Sequence, residues 1–457
     1  MRLILLELNE VNIDAVKTYL DEGKHLPNFE ALITGHARTT TAECAYEQLE
    51  PWIQWPSVHT GLTYQEHTVF RLGDFANLDH APEQVFELAE KMGFRVGAVS
   101  PMNAVNRLRS PAYFLPDPWT QTPSDESWIN KKLTKALVQA VNDNAKAKLS
   151  MSTLLYLGIS FLHFVPVRRY RRLLSLALRS MGRPWRKALF LDLFLHEVHK
   201  TLFGMHRADF STLFLNAGAH IQHHYFFNSA YVKDKNLSNP HWYVADGVDP
   251  FGEMLEIYDL IVGDLLRLRD TELLVVTGLS QRPFTDVKYM YRPRDHAGLL
   301  RLLGIKRGEV VPRMTSDFLI NFDTEAEADH AAKLLTSVKV NNSTPLFGHV
   351  DNRGRELFVM MDYPHYVDDE TTIEVNGTSV PLARLVVFVC IKNGEHQSRG
   401  FAFASSKIGS YLPDDGAHVS KLHQTIVDIL DGEAGSRPSH AEGSRPAESG
   451  RETIVAS

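Results

Sequence analysis

Short apolar runs separated by stretches of helical spacing are the feature that most constrains how this chain folds. The runs are residues 3–8 (LILLEL), 94–100 (FRVGAVS), 211–216 (STLFLN), 272–278 (ELLVVTG) and 385–391 (LVVFVCI). Runs of this kind, bounded by polar residues, are typical of strands that a parallel sheet buries on both faces. Helical spacing occurs between them, at residues 13–20, 26–33, 84–92 and 251–268. Strands that alternate with helices predict an α/β fold with a mostly parallel central sheet and helices on both faces.

Two segments interrupt this alternation. Residues 120–205 are largely helical in pattern, and residues 310–385 combine strand and helix patterns in a small α+β cap. The predicted core is then made of residues 1–120, 205–310 and 385–431. The end of the chain, 432–457, is rich in Gly, Ser, Pro and charged residues and is predicted to be a disordered tail.

The overall charge and the cysteine content exclude several classes of protein. With 48 Lys+Arg against 55 Asp+Glu, the net charge is −7, so nothing in the bulk charge favours a nucleic-acid partner. Cys44 and Cys390 are the only cysteines, which excludes a disulfide scaffold and a Cys-rich zinc site. The first apolar run is too short for a signal peptide, and it contains the acidic Glu7 and is closely followed by Glu10. We therefore expect a cytoplasmic protein.

The helical segment contains a strongly basic stretch. No Asp or Glu occurs from Ala145 to Phe190, and Arg168–Lys187 holds seven Arg and one Lys. The apolar run at 153–167 is shorter than the roughly 20 residues that span a bilayer, and Pro166 interrupts it. Three interpretations stay open: membrane-surface contact through residues 150–190 at the inner face of the membrane, an amphipathic cap on the core, or a basic wall beside an anionic substrate.

Polar side chains cluster in four places that we predict to lie at the carboxyl-terminal edge of the sheet, where ligands bind in open α/β folds. They are Asn9–Glu10, residues 50–67, residues 216–227 and residues 394–403. The second contains Glu50, Gln54, Ser57, His59, Thr60 and His67.

The order and spacing of these clusters resemble the alkaline phosphatase superfamily, in particular its type I phosphodiesterase/nucleotide pyrophosphatase branch. In that branch the first strand ends in Asp-Gly, and a helix and a Leu-Pro-Asn segment follow; here Asn9-Glu10 precedes LPNFEAL. The other matching positions are Thr60-Gly61 with His67, Asn216 with His220, and Gly394, His396 and Gly400. The resemblance covers residues 1–110 and 205–410 and leaves out the basic stretch.

The resemblance implies a phosphoester hydrolase with two metal ions, usually zinc, around a Ser or Thr nucleophile. This chain departs from that pattern, because Asn9 and Asn216 stand where two ligand carboxylates are expected. Gly278 and Leu279 stand where the pattern has a ligand Asp and His. The nucleophile position falls near Glu50–Pro51, which carries no hydroxyl group.

These observations predict a reduced, one-metal site for zinc or manganese. Its expected ligands are His220, His396, Asn216 and Asn9, and His223 and His224 are either further ligands or packing residues. Glu50, Ser57 and His59 are the expected catalytic residues. The expected activity is hydrolysis of a small anionic phosphoester. A non-catalytic protein that binds an anionic ligand or a membrane-associated partner, and a phospho-group transferase, remain as alternatives.

Overall fold

An eight-stranded, mostly parallel sheet forms the centre of the computed structural model, which describes residues 1–142, 150–234, 236–312 and 316–434. From edge to edge its strands are β18 (Ala417–His418), β2 (His36–Thr41), β17 (Arg399–Ala404), β6 (Thr271–Val276), β1 (Arg2–Leu8), β5 (Phe210–Leu215), β3 (Val96–Val99) and β4 (Tyr113–Leu115). Strand β17 runs antiparallel to both of its neighbours, and the other pairs are parallel. The predicted fold class is confirmed.

Helices cover both faces of this sheet. Those of the core are α1 (Ile13–Asp21), α2 (Pro27–Thr34), α3 (Pro51–Thr60), α4 (Tyr64–His67), α5 (Val85–Lys91), α10 (Ala217–Tyr225), α11 (Pro250–Leu266) and α14 (Lys421–Ala434). The side chains of β1 alternate between two apolar clusters: Leu5 packs with Trp55 of α3, and Leu6 packs with Ile221 of α10. Because successive side chains point to opposite faces, one strand supports both layers.

The helical segment consists of α6 (Trp128–Asn142), α7 (Met151–Phe164), α8 (Val167–Leu178) and α9 (Arg186–His206). An ion pair between Arg169 of α8 and Asp264 of α11 fastens it to the core, and the same guanidinium lies 2.8 Å from the buried Glu197 carboxylate of α9. None of the helices in the described ranges is long and apolar enough to cross a membrane.

A long antiparallel ribbon connects the core to a third apolar cluster, which forms a small domain. It pairs β7 (Ser280–Pro293) with β16 (Val386–Gln397). Beyond it lie α12 (His296–Leu302), α13 (Glu325–Ser337) and two four-stranded sheets. One sheet has β12 (Phe347–Asn352), β13 (Glu356–Met361), β9 (Asp317–Asn321) and β8 (Glu309–Pro312). The other has β11 (Thr344–Pro345), β10 (Lys339–Val340), β14 (Thr372–Val375) and β15 (Thr378–Pro381).

The structure corrects one strand assignment and refines the start of the tail. The run 385–391 is a strand, but it pairs with β7 rather than joining the central sheet, because its apolar side chains pack on the cluster of the small domain. The predicted tail begins inside α14, which continues to Ala434. The rest of that prediction, 435–457, lies outside the described residues.

Candidate metal centre

The carboxyl ends of β1 and β5 bring Asn9 and Asn216 into direct contact. The Asn9 Nδ2 group donates hydrogen bonds to Asn216 Oδ1 at 2.8 Å and to Glu10 Oε1 at 3.1 Å. The Trp55 indole Nε1 donates to Asn9 Oδ1 at 2.8 Å. Each of these two amide oxygens therefore already accepts a hydrogen bond from within the protein.

Glu10 adopts a backbone conformation that favours glycine. Its φ is 61°, in the left-handed region, which costs a residue with a side chain about 1–2 kcal/mol. Two hydrogen bonds hold it there: Glu10 N donates to Thr277 O at 3.1 Å, and Gln222 Nε2 donates to Glu10 O at 2.9 Å. The resemblance places a glycine at this position. A strained residue that keeps a buried carboxylate indicates a function for that carboxylate.

Three ligand-type atoms converge at the Glu10 carboxylate. Glu10 Oε2 lies 3.1 Å from His223 Nε2 and 3.0 Å from His396 Nε2, and the two Nε2 atoms are 3.1 Å apart. Helix α10 supplies His223, and the end of β16 supplies His396. The group is open to solvent on one side, because the His223 side chain is 34% exposed and that of Glu10 only 2%.

This group fits a single divalent ion. Two imidazole nitrogens and one carboxylate oxygen are the protein ligands of many catalytic zinc sites, which keep a fourth position open. Tetrahedral zinc with bonds of about 2.0–2.1 Å needs ligand atoms roughly 3.3–3.4 Å apart. The observed separations of 3.0–3.1 Å are slightly shorter, so a small outward movement of each side chain accommodates the ion.

In the metal-free protein the group is a strong ion pair. Burial alone would raise the pKa of Glu10, but the charges of His396 and His223 and their hydrogen bonds hold it well below its usual value. Burial opposes the charged form of His396, yet Glu10 and, more weakly, Glu50 raise the pKa of His396 to about 9. A cation and the imidazolium proton therefore compete for the same nitrogen.

Glu50 lies on the other side of the His396 ring. It precedes α3 as the N-cap residue, and its carboxylate Oε2 is 3.5 Å from His396 Nδ1. Burial raises the pKa of Glu50 to about 7; nearby Glu10 adds to this rise, and His396 and Lys392 oppose it. A carboxylate behind a ligand histidine is the usual outer-shell arrangement that orients the ring.

Ser57 and His59 lie on α3 and face other partners. Ser57 Oγ is 3.0 Å from His67 Nε2, and His59 Nε2 is 2.7 Å from Glu7 Oε1 in β1. All four side chains are buried. Within the described structure neither Ser57 nor His59 contacts the group formed by Glu10, His223 and His396.

His220 also lies outside that group. It precedes His223 by one turn of α10, and its ring centroid lies 4.5 Å from that of His224, with the two rings tilted by 44°. Burial, with a smaller contribution from the charge of His223, lowers the pKa of His220 to about 4, so the ring is neutral at pH 7. The structure thus brings His223, rather than His220, to His396. The adjacent histidines at 223 and 224, one turn beyond His220, were the sequence signal for this arrangement.

The Trp55 indole lies beside two of the positions where the resemblance places metal ligands. Gly278 has φ 71°, and a side chain there would meet the Trp55 ring at 3.3 Å. The same ring donates to Asn9 Oδ1, and Leu279 is buried. The Trp55 indole therefore contacts Asn9 and fills the space beside Gly278, two positions where the resemblance places metal ligands.

A second cluster of acidic and histidine side chains has a different character. His196, Glu197 and Asp264 offer ligand-type atoms, but two cations already neutralise the carboxylates. Lys200 Nζ lies 3.0 Å from Glu197 and 2.8 Å from Asp264, and Arg169 pairs with both acids. This cluster fastens α8 and α9 to α11.

Gly394 allows β16 to approach α10, and this approach places His396. A Cβ atom at Gly394 would lie 2.2 Å from Gln281 Oε1 and 2.8 Å from Gln222 O. We expect Gly394→Ala to lower the free energy of unfolding by about 1–3 kcal/mol, and to weaken zinc binding because the ribbon carries His396. Gly204→Ala is the control, since nothing lies within 4 Å of its Cβ position. Denaturant titration and zinc titration check both variants, and equal behaviour would contradict the packing argument.

Comparison with family models and with curated proteins finds no match. Among solved structures the chain aligns with murine ectonucleotide pyrophosphatase/phosphodiesterase 5 at 9% identity and a TM-score of 0.42, covering 94% of this chain and 95% of that chain. It aligns with phosphonoacetate hydrolase from Sinorhizobium meliloti 1021 in complex with phosphonoacetate at 14% identity and a TM-score of 0.40, covering 93% and 94%. Alkaline phosphatase from the Antarctic bacterium TAB5 gives 9% identity and a TM-score of 0.38, covering 94% and 98%.

The chain is structurally similar, at low identity, to proteins of the alkaline phosphatase superfamily.

Proposed function

We propose that this protein is a phosphoester hydrolase that uses one divalent ion, held by Glu10, His223 and His396. The observation that carries the proposal is the convergence of Glu10 Oε2 and the two Nε2 atoms within 3.0–3.1 Å at the edge of the sheet. The order of the sequence motifs supports the phosphoester class. Zinc suits this nitrogen-rich ligand set better than manganese, which prefers oxygen ligands.

The charge of the site favours an anionic substrate. Asn9 and Asn216 replace two carboxylates, so Glu10 is the only acidic ligand in the proposed set. A divalent ion bound there would keep a net positive charge, polarise a phosphoryl oxygen and lower the pKa of a bound water. Glu10 supplies the single neutralising charge, and the two imidazoles hold their Nε2 lone pairs towards the same point.

Glu50 acts in this proposal as a positioning residue for His396. Its carboxylate lies 3.5 Å from Nδ1 and attracts that end of the ring, while Nε2 faces Glu10. Ser57 is paired with His67 and has no part in the proposed chemistry, so the nucleophile is a water molecule. In the reaction the water oxygen forms a bond to phosphorus, the bond to the alcohol oxygen breaks, and the proton lost by water passes to the leaving alkoxide.

Glu50→Gln separates positioning from direct proton transfer. If Glu50 only orients His396, the amide retains part of that role, and we expect zinc affinity and kcat/KM to fall together by roughly tenfold, the lower end of the effect of outer-shell changes. The pH profile should keep its shape. Loss of one limb of the pH profile with unchanged zinc affinity would instead make Glu50 a general base.

The hydrolase proposal is tested on the purified full-length chain. We expect about one equivalent of zinc per chain, and turnover of nitrophenyl phosphate monoesters or diesters that depends on the metal. Adding an alcohol acceptor shows whether the phospho group is transferred rather than hydrolysed. Absence of both metal binding and turnover would overturn the proposal.

A non-catalytic ligand-binding protein is the second candidate, and one observation favours it. Asn9, Asn216, Trp55 and Glu10 already satisfy one another by hydrogen bonds, so the edge of the sheet is stable without an ion. This candidate predicts that inorganic phosphate binds to the metal-free protein. The hydrolase proposal predicts phosphate binding only after zinc loading, and calorimetric titration distinguishes the two.

A further inference from the structure

Helices α7 and α8 present an apolar surface to solvent. Eight large hydrophobic side chains from Met151 to Met181 are between 47% and 94% exposed. They are Met151, Leu154, Leu155, Leu162, Val167, Leu174, Leu178 and Met181. Exposed apolar side chains in such density are unusual on a soluble surface and indicate a binding face.

The exposed residues lie along one face of each helix. On α8, Val167, Arg171, Leu174 and Leu178 follow one another at helical spacing and are all exposed. The opposite face of α8 is buried in the core cluster through Leu173 and Leu176. Helix α7 is similar, with Met151, Leu155 and Leu162 exposed and Phe164 buried.

The same surface carries exposed cations. Arg168, Arg171, Arg172, Arg179 and Lys187 are exposed, and none of them forms an ion pair within the residues the structure describes. By contrast, Arg169 pairs with Glu197, and Arg183 and Arg186 pair with Glu253. The basic stretch therefore divides into arginines that fasten it to the core and cations that face outward.

We infer that this surface, formed by the exposed side chains of residues 151–187, docks the protein on an anionic lipid bilayer. Aliphatic side chains enter the boundary between headgroups and acyl chains, and the surrounding cations contact lipid phosphates and carboxylates. Arg171 lies among the apolar residues of α8, and its long stem allows the guanidinium to reach the headgroups.

Charge complementarity favours a bilayer over two other occupants. In a symmetric dimer the same patch would meet itself, which would bring unpaired cations together with no acid from residues 145–190 to neutralise them. A nucleic acid would neutralise the cations but would leave the exposed aliphatic side chains in water. A bilayer containing anionic lipid matches both parts of the surface.

Sedimentation with vesicles tests the inference on the full-length chain. We expect binding to vesicles that contain phosphatidylserine and weak binding to pure phosphatidylcholine. The triple variant R168Q/R171Q/R172Q should lose on the order of 100-fold in partition to anionic vesicles. The double variant L155S/L178S should lose at least about tenfold on both kinds of vesicle, because it removes the inserted apolar groups.

Matched variants elsewhere control for net charge and for folding. Lys306, Lys333 and Lys339 are exposed on the small domain, so K306Q/K333Q/K339Q makes the same change in charge and should bind like the wild type. Val311, which is 41% exposed there, gives the apolar control V311S. Thermal unfolding should be unchanged in all four variants, because the substituted side chains are exposed.

Three results would overturn the inference. One is a wild-type chain that does not sediment with anionic vesicles. Another is an equal loss of binding in the control variants. The third is a concentration-dependent dimer, measured by analytical ultracentrifugation, that L155S/L178S dissociates, since the surface would then bind a second copy.

Discussion

Replacing Glu10 by Gln is expected to lower zinc affinity by more than about 100-fold and to abolish metal-dependent turnover. Outer-shell partners of metal ligands are worth roughly 10- to 100-fold, and Glu10 is proposed to contact the ion itself. The carboxylate lies 3.0 Å from His396 Nε2 and 3.1 Å from His223 Nε2, and a neutral amide in its place brings no charge to either contact. Zinc titration with a competing chelator measures the effect.

Glu10→Gly is the matched comparison, because it removes the same carboxylate and relieves the left-handed backbone. Glycine adopts φ near 61° without steric cost, so this variant should recover about 1–2 kcal/mol of the free energy of unfolding relative to Glu10→Gln. Both variants should fail to bind zinc. Wild-type zinc affinity in either one would exclude Glu10 as a ligand.

Replacing Asn9 by Asp is expected to lower the free energy of unfolding of the metal-free protein by about 2–4 kcal/mol. Asn9 Nδ2 donates to Asn216 Oδ1 and to Glu10 Oε1, and a carboxylate would set an oxygen against both acceptors and a second charge beside Glu10. Urea titration of the metal-free chain measures the loss. Excess zinc should restore part of it, because a cation offsets the added charge.

Asn216→Asp provides the control for that experiment. Asn216 Oδ1 accepts the hydrogen bond from Asn9 Nδ2, so a carboxylate at position 216 retains an acceptor where the amide has one. We expect a clearly smaller loss of stability than in Asn9→Asp. Equal losses in the two variants would contradict the assigned direction of this hydrogen bond.

Four strands of the central sheet, β1, β3, β5 and β6, could be predicted from the sequence, because they are buried on both faces and therefore appear as continuous apolar runs. Residues 3–8 and 211–216 match β1 and β5 closely. The run 385–391 has the same composition, yet β16 pairs with β7. Composition indicates that a strand is buried, but the partner of a strand depends on contacts far away in the chain.

Part of the site could also be predicted, from the polar residues that follow the predicted parallel strands. Asn9 and Asn216 follow parallel neighbours in the sheet, so their contact was expected at its carboxyl edge. His396 lies at the same edge, but it does not follow a parallel strand. It is near the end of β16, just before β17, which pairs with β6 in the antiparallel direction.

The remaining features depend on backbone geometry that the sequence does not display. The Glu10 side chain turns inward because the backbone φ of this residue is positive. No spacing of residues in the sequence predicts a positive φ at a glutamate. The choice between His220 and His223 depends on the rotation of α10 about its axis, since both lie within one turn of the helix. Residues 51–60 form a helix that directs Ser57 and His59 into buried pairs.

The zinc stoichiometry of wild type, His223→Asn and His220→Asn is the sharpest test of the proposed metal site, which Glu10, His223 and His396 form. The two histidines lie one turn apart on α10, so each substitution makes the same chemical change in a similar helical setting. We expect about one zinc per chain in the wild type and in His220→Asn, and none in His223→Asn. Retention of zinc by His223→Asn together with its loss from His220→Asn would exclude His223 as a ligand of the ion.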